Sequence, residues 1–251
     1  MSFLSKIVPA AAVAFLMSAT PALADAITFD SSKIGATQNV NFNGFSDGTT
    51  INGLTAAGQF TLTSIDNGGS SWTFSYSIDN TSTSPITGSE VTGFAFDTSP
   101  NVASATSTGL FQYSEISANY PNGINTVDVC FKTKSSGNSC AGAGSGNEGV
   151  GISDPAATGT FTLTFASPIT SLTIDQFYDR YQAITGPAGT PGSATGVGSS
   201  TTTSTSTSTG GQVPEPGIVG LMGAAAAAVM VLRRRRRRPE ESRSMLIPEF
   251  A

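Results

Sequence analysis

Polar and apolar residues alternate with a period of two along much of this chain. The clearest run is at residues 71–78, where Ser and Thr separate Trp72, Phe74, Tyr76 and Ile78. A period of two puts one face of a strand against a core and the other face in water. The same pattern recurs at Ile27 and Phe29, Val40 and Phe42, Phe60 and Leu62, Phe94 and Phe96, Val127, Val129 and Phe131, Phe161, Leu163 and Phe165, and Leu172 and Ile174. The alternation therefore predicts short strands along the body of the chain.

Turn-forming residues separate these predicted strands. The sequence Asp66-Asn67-Gly68-Gly69 lies between two of them and predicts a hairpin loop. Asp47-Gly48, Asn52-Gly53 and Asn122-Gly123 mark other reversals. Eight to ten short strands at this spacing predict an all-β fold, an antiparallel β-sandwich, over residues 25–185.

The apolar alternation stops after Ile184. Residues 186–212 are rich in Gly, Pro, Ser and Thr, and residues 199–209 are eleven consecutive Ser or Thr. Because such a composition cannot bury enough apolar surface to fold, we expect residues 186–212 to form an extended linker. It would be either a plain spacer or a carrier of O-linked sugar.

The N-terminus has the layout of a secretory signal peptide over residues 1–24. Lys6 supplies the positive charge, and residues 7–19 form the apolar core. Ala22-Leu23-Ala24 matches the small-x-small pattern of signal peptidase, which predicts cleavage between Ala24 and Asp25. An uncleaved anchor is the alternative, but the apolar core is short for a membrane span. The sequence therefore predicts export.

A pattern of three parts occupies residues 213–238. It begins with Val213, Pro214, Glu215 and Pro216. An apolar run at residues 218–232 follows, roughly 22 Å long as a helix against a hydrocarbon core of ~30 Å. The pattern ends with Arg233, Arg234, Arg235, Arg236, Arg237 and Arg238. Because Lys and Arg are enriched on cytoplasmic flanks, we expect a single transmembrane helix followed by a cytoplasmic tail at residues 239–251.

The order of these three parts resembles the PEP-CTERM sorting signal of Gram-negative bacteria. The resemblance implies an exosortase substrate that is held in the inner membrane as a precursor and then reaches the cell surface or the extracellular space. The alternatives are an ordinary single-span tail anchor and a short buried helix with a basic cap, but both leave Pro-Glu-Pro beside the apolar run unexplained. Such signals commonly end soon after the basic cluster, whereas residues 239–251 follow it here. The signal describes a destination and not an activity.

Several strings within the predicted domain form a second set. They are VNFNGF at 40–45, VTGFAFD at 91–97, VDVCFK at 127–132, TFTLTF at 160–165 and FYDRYQ at 177–182. Together with CAG at 140–142, this set resembles the cistern family PEP-CTERM proteins, and the strings around Cys130 and Cys140 are its most specific part. The resemblance covers about residues 26–184 and implies no reaction.

Charge limits the partners that the exported form can bind. The full chain has a formal net charge of −5, but residues 25–212 carry four basic and thirteen acidic side chains, which leaves −9. Such an acidic segment disfavours nucleic acid and anionic lipid as partners. Divalent cations and neutral polysaccharide remain open.

The chain has two cysteines, Cys130 and Cys140, which enclose an eleven-residue loop. In an oxidising compartment we expect a disulfide, which would contribute on the order of 2.5 kcal/mol in the chain-entropy model. A zinc site is the alternative, but two thiols without histidine make a poor ligand set.

The absence of histidine from the sequence excludes Ser-His-Asp and Cys-His catalysis. Paired carboxylates remain, and the best polar cluster is Asp175 and Asp179 beside Arg180. The alternative is that Arg180 pairs with an acid while the nearby aromatic residues pack in the core, namely Phe177, Tyr178 and Tyr181. We assign no catalytic residue and expect no enzyme.

Four aspartates lie in turns rich in Gly, Asn and Ser, namely Asp47, Asp66, Asp79 and Asp154. Turns of this kind can supply carboxylate and carbonyl ligands to calcium, but turn-forming Asp is far commoner. We assign no metal ligand and expect no cofactor, with calcium as the alternative. Residues 144–149 match G-x-G-x-x-G without the strand-to-helix context that phosphate binding requires, and predict only a loop.

Three hypotheses follow from the sequence. The first is a non-enzymatic surface or biofilm-matrix protein, structural or associated with exopolysaccharide and processed by signal peptidase and exosortase. The second is a carbohydrate- or calcium-binding β-sandwich module. The third is a hydrolase, which would need two carboxylates facing each other across a cleft.

Overall fold

The computed structural model describes residues 26–135, 139–141 and 148–200. Several sequence predictions lie outside the described residues. They are the signal peptide with its cleavage site at Ala24 and Asp25, the motif at residues 213–216, the transmembrane helix, the arginine cluster at residues 233–238 and the tail at residues 239–251. No helix that could span a membrane occurs in the described ranges.

The described part of the chain is all-β and contains twelve strands. They are β1 (Ile27–Asp30), β2 (Thr37–Ser46), β3 (Thr49–Asp66), β4 (Ser71–Asp79), β5 (Gly88–Ser99), β6 (Ser104–Ser107), β7 (Tyr113–Tyr120), β8 (Asn125–Lys132), β9 (Val150–Gly151), β10 (Ala157–Thr164), β11 (Ser171–Thr185) and β12 (Ser193–Ser200). Two 3₁₀ turns, Ser31–Lys33 and Asn67–Gly69, follow β1 and β3.

The twelve strands form one antiparallel sheet in the order β6-β10-β4-β3-β2-β12-β11-β5-β8-β7. β1 pairs with β11, and β9 pairs with β5. The sheet is nearly closed, since its two outer strands approach each other where the Ser114 hydroxyl donates to the Ala105 carbonyl at 2.6 Å.

The all-β antiparallel class is thus confirmed, but the number and connection of the strands differ from the predicted sandwich of eight to ten strands. One continuous sheet curls around the core because several strands are long and bulged. β3 has 18 residues and β11 has 15, and register shifts interrupt the pairing of both. Bulges increase the local twist and bend a strand, which allows a single sheet to wrap.

The linker predicted at residues 186–212 is corrected at its start, because Ser193–Ser200 forms β12 between β2 and β11. This strand lacks large apolar residues, so alternation did not reveal it. Its two central glycines are required by close packing. A Cβ at Gly196 would lie 1.8 Å from Asp179 Oδ1, and one at Gly198 would lie 2.7 Å from Phe177 Cβ.

The inward faces of the strands enclose an aromatic core. Phe94 is at its centre, and its ring centroid lies 5.1–6.0 Å from those of Phe60, Tyr76, Phe111, Phe131 and Phe161. Such ring pairs contribute about 0.5–1.5 kcal/mol each beyond their buried area. The alternating aromatic positions of the sequence therefore point into one shared core, as predicted.

A smaller apolar cluster lies on the outer side of β5, β8 and β11 and contains the disulfide. Cys130 and Cys140 are bonded, as predicted, and both are buried. The returning end of the loop is held in place by main-chain atoms, since Cys140 N–H donates to the Asn119 carbonyl at 3.0 Å. Beside it, the buried Lys132 ammonium lies 3.2 Å from a Glu115 carboxylate oxygen and donates to the Ser139 carbonyl.

Candidate functional site

The polar cluster predicted on β11 is divided between the two faces of the sheet. Gln176 has a φ of 48°, and the pairing of β11 with β5 shifts register between Asp175 and Tyr178. The extra residue of this bulge reverses the alternation. Asp179 lies on the same face as the core residues Phe177 and Tyr181, whereas Asp175 lies on the outer face. The two carboxylates therefore do not face each other across a cleft.

Asp179 is completely buried next to the core. Burial raises the pKa of its carboxyl to about 8, an effect that the Tyr181 hydroxyl and the Gly196 N–H only partly offset. Neither carboxylate oxygen has a hydrogen bond of standard geometry, and the same is true of the Tyr181 hydroxyl. The raised pKa favours the protonated form of the carboxyl, because the ionised form would be a charge buried next to the apolar core.

Arg180 points to the outer side and holds neighbouring main chain. Its Nη1 donates to the Ala194 carbonyl at 2.9 Å, and its Nε donates to the Ala141 carbonyl at 3.2 Å. Gln182 Nε2 donates to the same Ala141 carbonyl. Burial lowers the pKa of Arg180. The guanidinium on β11 thus forms hydrogen bonds with the main chain of β12 and with the residue that follows the disulfide loop. No ion pair between Arg180 and an acid occurs in the described residues, which differs from the pairing considered above.

Three carboxylates that the sequence did not associate lie on the outer face of β11, β5 and β8. Asp97 and Asp175 are cross-strand partners, and Asp97 Oδ1 accepts a hydrogen bond from Asp128 N–H at 3.0 Å. Asp128 Oδ2 accepts from Thr98 N–H at 2.8 Å. Burial raises the pKa of Asp97, and the charges of Asp128 and Asp175 raise it further. Only the strand register brings these residues together, so alternation alone could not have found them.

The turn aspartates are not brought together. Asp66 and Asp79 occupy opposite ends of the β3–β4 hairpin. Asp66 accepts from the Ser64 hydroxyl, and Asp154 accepts from Gly151 N–H, as turn-forming Asp residues do. Asp47 has a φ of 48° in the tight turn between β2 and β3. In residues 26–135, 139–141 and 148–200, no three His, Cys, Asp or Glu side chains form a group that could hold a metal ion.

A cleft of about 550 Å³ opens beside β5 and β9, lined in part by Glu90 and Asp154. Glu90 Oε2 accepts hydrogen bonds from the N–H groups of Glu148 and Gly149, at 3.0 and 3.2 Å. Gly149 is the last glycine of the G-x-G-x-x-G match. Since a carboxylate already occupies its N–H, this glycine is not available to a phosphate. Residues 148 and 149, the described end of this glycine-rich segment, therefore form part of a loop that is hydrogen-bonded to β5.

Charged side chains are unevenly distributed over the sheet. Six neighbouring strands, β6, β10, β4, β3, β2 and β12, contain only two charged residues, Asp66 and Asp79, each at the end of its strand. The next four strands, β11, β5, β8 and β7, contain eight. One half of the sheet is therefore almost uncharged.

The outward side chains of this uncharged half form a surface that we call the hydroxyl face. It comprises Thr158, Thr160 and Thr162 on β10, Thr73, Ser75 and Ser77 on β4, Gln59 and Thr61 on β3, and Thr37 and Asn39 on β2. A shallow groove of about 430 Å³ crosses its middle, lined by Gln59, Thr61, Ser75, Ser77, Thr158 and Thr160.

Comparison with known proteins identifies the C-terminal pattern. A family model described as the PEP-CTERM protein-sorting motif matches residues 212–237. The match supports an exosortase substrate, and it implies export and processing of a membrane-anchored precursor. It covers none of the strands between residues 27 and 200, which we call the β-domain. The resemblance of that domain to the cistern family therefore stays a prediction. No curated protein and no solved structure matches the chain.

Proposed function

We propose that this chain is a structural protein of the bacterial cell surface or extracellular matrix, associated with exopolysaccharide and without enzymatic activity. The sorting motif at residues 212–237 carries the proposal, because it directs the precursor to an exosortase. The predicted signal peptide would bring residues 25–212 across the inner membrane. Cleavage near the motif would then release the β-domain from its arginine-flanked anchor.

The chemistry of the β-domain supports a non-enzymatic role. Hydrolysis by two carboxylates requires both to face one cleft. Asp175 and Asp179 lie on opposite faces of the sheet, and Asp179 is sealed in the core. Arg180, which could stabilise a developing negative charge, already donates to the Ala194 and Ala141 carbonyls. Asp179 is therefore part of the packed interior, and Arg180 binds the main chain of β12 and of the residue that follows the disulfide loop.

The sorting step is tested by replacing the motif. In the variant Pro214→Ala, Glu215→Ala and Pro216→Ala, we expect the protein to accumulate in the inner membrane, because the exosortase no longer recognises it. The matched control, Pro239→Ala, Glu240→Ala and Glu241→Ala, removes the same residue types beyond the arginine cluster and should be exported like the wild type. Fractionation and immunoblotting of the native host distinguish the two. Equal release of both variants would contradict the proposal.

The matrix association is tested separately. We expect the released protein to co-sediment with the extracellular polysaccharide of its own cells and to be freed when that polymer is enzymatically digested. Release into the medium as a freely soluble protein, with none on the polymer, would contradict this part of the proposed function.

A further inference from the structure

The hydroxyl face is built of transverse rows that continue from strand to strand. In one row Thr160, Ser75, Thr61 and Thr37 are successive cross-strand partners. In the next row Thr158, Ser77, Gln59 and Asn39 are partners in the same way. Since neighbouring strands are about 4.8 Å apart, each row extends over roughly 14 Å. The groove therefore runs between two parallel rows of uncharged polar side chains.

The hydroxyls around the groove are held in place by each other. Thr37 and Thr61 form a hydrogen bond of 2.7 Å, and Thr73 and Thr162 form one of 3.0 Å. Thr160 pairs with Thr108 at 2.9 Å. A hydroxyl has one donor and two acceptor sites, so each paired group keeps bonding capacity while its rotamer is fixed. Such preorganisation lowers the entropy cost of binding a ligand.

Four of the side chains that line the groove have no such hydrogen bond. These are the side chains of Ser75, Ser77, Gln59 and Thr158, which are not buried. Their side-chain polar groups have no hydrogen-bond partner among the described residues. They can therefore donate to and accept from a ligand without breaking an existing protein hydrogen bond. The groove therefore combines hydroxyls that are fixed by hydrogen bonds, those of Thr61 and Thr160, with unpaired polar side chains that can bind a ligand.

The chemistry of the face selects the class of ligand. The ten side chains that define the face include no cation that could attract an anionic polymer and no carboxylate. One acid, Asp79, lies two positions beyond Ser77 on the same side of β4, at the end of the strand. The groups of the face are hydroxyls and two amides, which both donate and accept hydrogen bonds. The row extends over several strands, which suits an extended chain better than one small molecule. A neutral polymer that carries many hydroxyls complements all of these properties.

We propose that the groove of the hydroxyl face binds a neutral polysaccharide chain laid across β10, β4 and β3. The inference rests on the proposed function, since it names the surface and the class of polymer through which the exported protein would associate with exopolysaccharide. The charged half of the sheet takes no part in this contact.

The test compares neutral and charged polymers. The full chain, purified in a detergent without a sugar headgroup, is titrated by biolayer interferometry against immobilised dextran, laminarin and galactomannan, and against carboxymethyl-dextran. We expect binding to at least one neutral polymer, and weaker binding to carboxymethyl-dextran than to dextran, because the acidic domain repels it. Binding to none of the three neutral polymers, or stronger binding to the carboxylated one, would overturn the inference.

Two variants locate the site. Ser75→Ala, Ser77→Ala and Thr158→Val remove the three unpaired hydroxyls of the groove. Loss of three hydrogen bonds should weaken the binding of the neutral polymer by about tenfold or more, which corresponds to about 1.4 kcal/mol. The control, Ser171→Ala, Ser193→Ala and Thr126→Val, removes two serine hydroxyls and one threonine hydroxyl from β11, β12 and β8, outside the hydroxyl face, and should bind like the wild type.

The outcomes separate the inference from the proposed function. If the groove variant still binds the neutral polymer and still co-sediments with the host polysaccharide, the groove is the wrong site while the proposed function stands. If the wild type does not co-sediment with the host polysaccharide, the proposed function fails whatever the groove binds. Equal thermal unfolding of the two variants shows that a loss of binding is not a loss of folding.

Discussion

Asp179 makes the stability of the β-domain depend on pH in a way that one substitution should remove. Its carboxyl is completely buried, and its pKa is raised from 3.8 to about 8, mainly by burial. Below about pH 4 the group is protonated in both the folded and the unfolded chain. Between about pH 4 and 8 the unfolded chain releases the proton while the folded chain keeps it. Stability is therefore lost as the pH rises through this window.

The size of the effect follows from the difference in pKa. Each pKa unit corresponds to about 1.4 kcal/mol, so the free energy of unfolding should fall by about 2.7 kcal/mol between pH 5 and pH 7 through this group alone. Asp179→Asn keeps the shape of the protonated acid but does not titrate. The stability of the variant relative to the wild type should therefore rise by about the same amount over this interval.

The assay is urea unfolding of the exported form, wild type and Asp179→Asn, at half-unit steps from pH 5 to pH 8. Other titrating groups are common to both proteins and cancel in the difference. Asp175→Asn serves as the matched control, because burial also raises the pKa of this acid but leaves it partly exposed. For Asp175→Asn, we expect the stability relative to the wild type to rise with pH as well, but by a smaller amount. A difference between Asp179→Asn and wild type that stays constant with pH would refute the reasoning.

Two further predictions concern packing and the disulfide. Gly196→Ala should lower the melting temperature strongly, because its Cβ would lie 1.8 Å from Asp179 Oδ1, whereas Gly192→Ala, with open space around it, should not. Adding Asp179→Ala to Gly196→Ala should recover part of the loss, and no recovery would contradict this account of the contact. Replacing both Cys130 and Cys140 by Ser should lower the free energy of unfolding by about 2.5–3 kcal/mol, the value for an eleven-residue loop, as measured by urea unfolding. Unchanged stability in that variant would show that the loop is held by its other contacts alone.

Alternation predicted those strands that carry large apolar residues. Trp72, Phe74, Tyr76 and Ile78 are all buried in the core, as the period of two required. β12 was missed because its place in the sheet requires small residues, and a strand of Ser, Ala, Gly and Thr with a single Val has the composition of a linker. Composition alone cannot distinguish a segment whose small residues bury too little apolar surface to fold from a strand whose residues must be small to fit between two neighbouring strands.

The candidate site was predictable in its residue types but not in its geometry. The sequence placed Asp175 and Asp179 four residues apart, but the bulge at Gln176 puts them on opposite faces. A bulge of this kind depends on how a strand pairs with its neighbour and not on its own pattern. For the same reason, the approach of Asp97 to Asp175 depends on the register between β5 and β11.

The destination of the protein rests on residues 212–237, where sequence pattern and family model agree. The most direct test of the central claim is the intact mass of the wild-type protein recovered from outside the cell. Processing by an exosortase predicts a C-terminus upstream of Arg233, with the whole arginine cluster missing. An extracellular protein whose mass includes residues 233–251 would contradict the account.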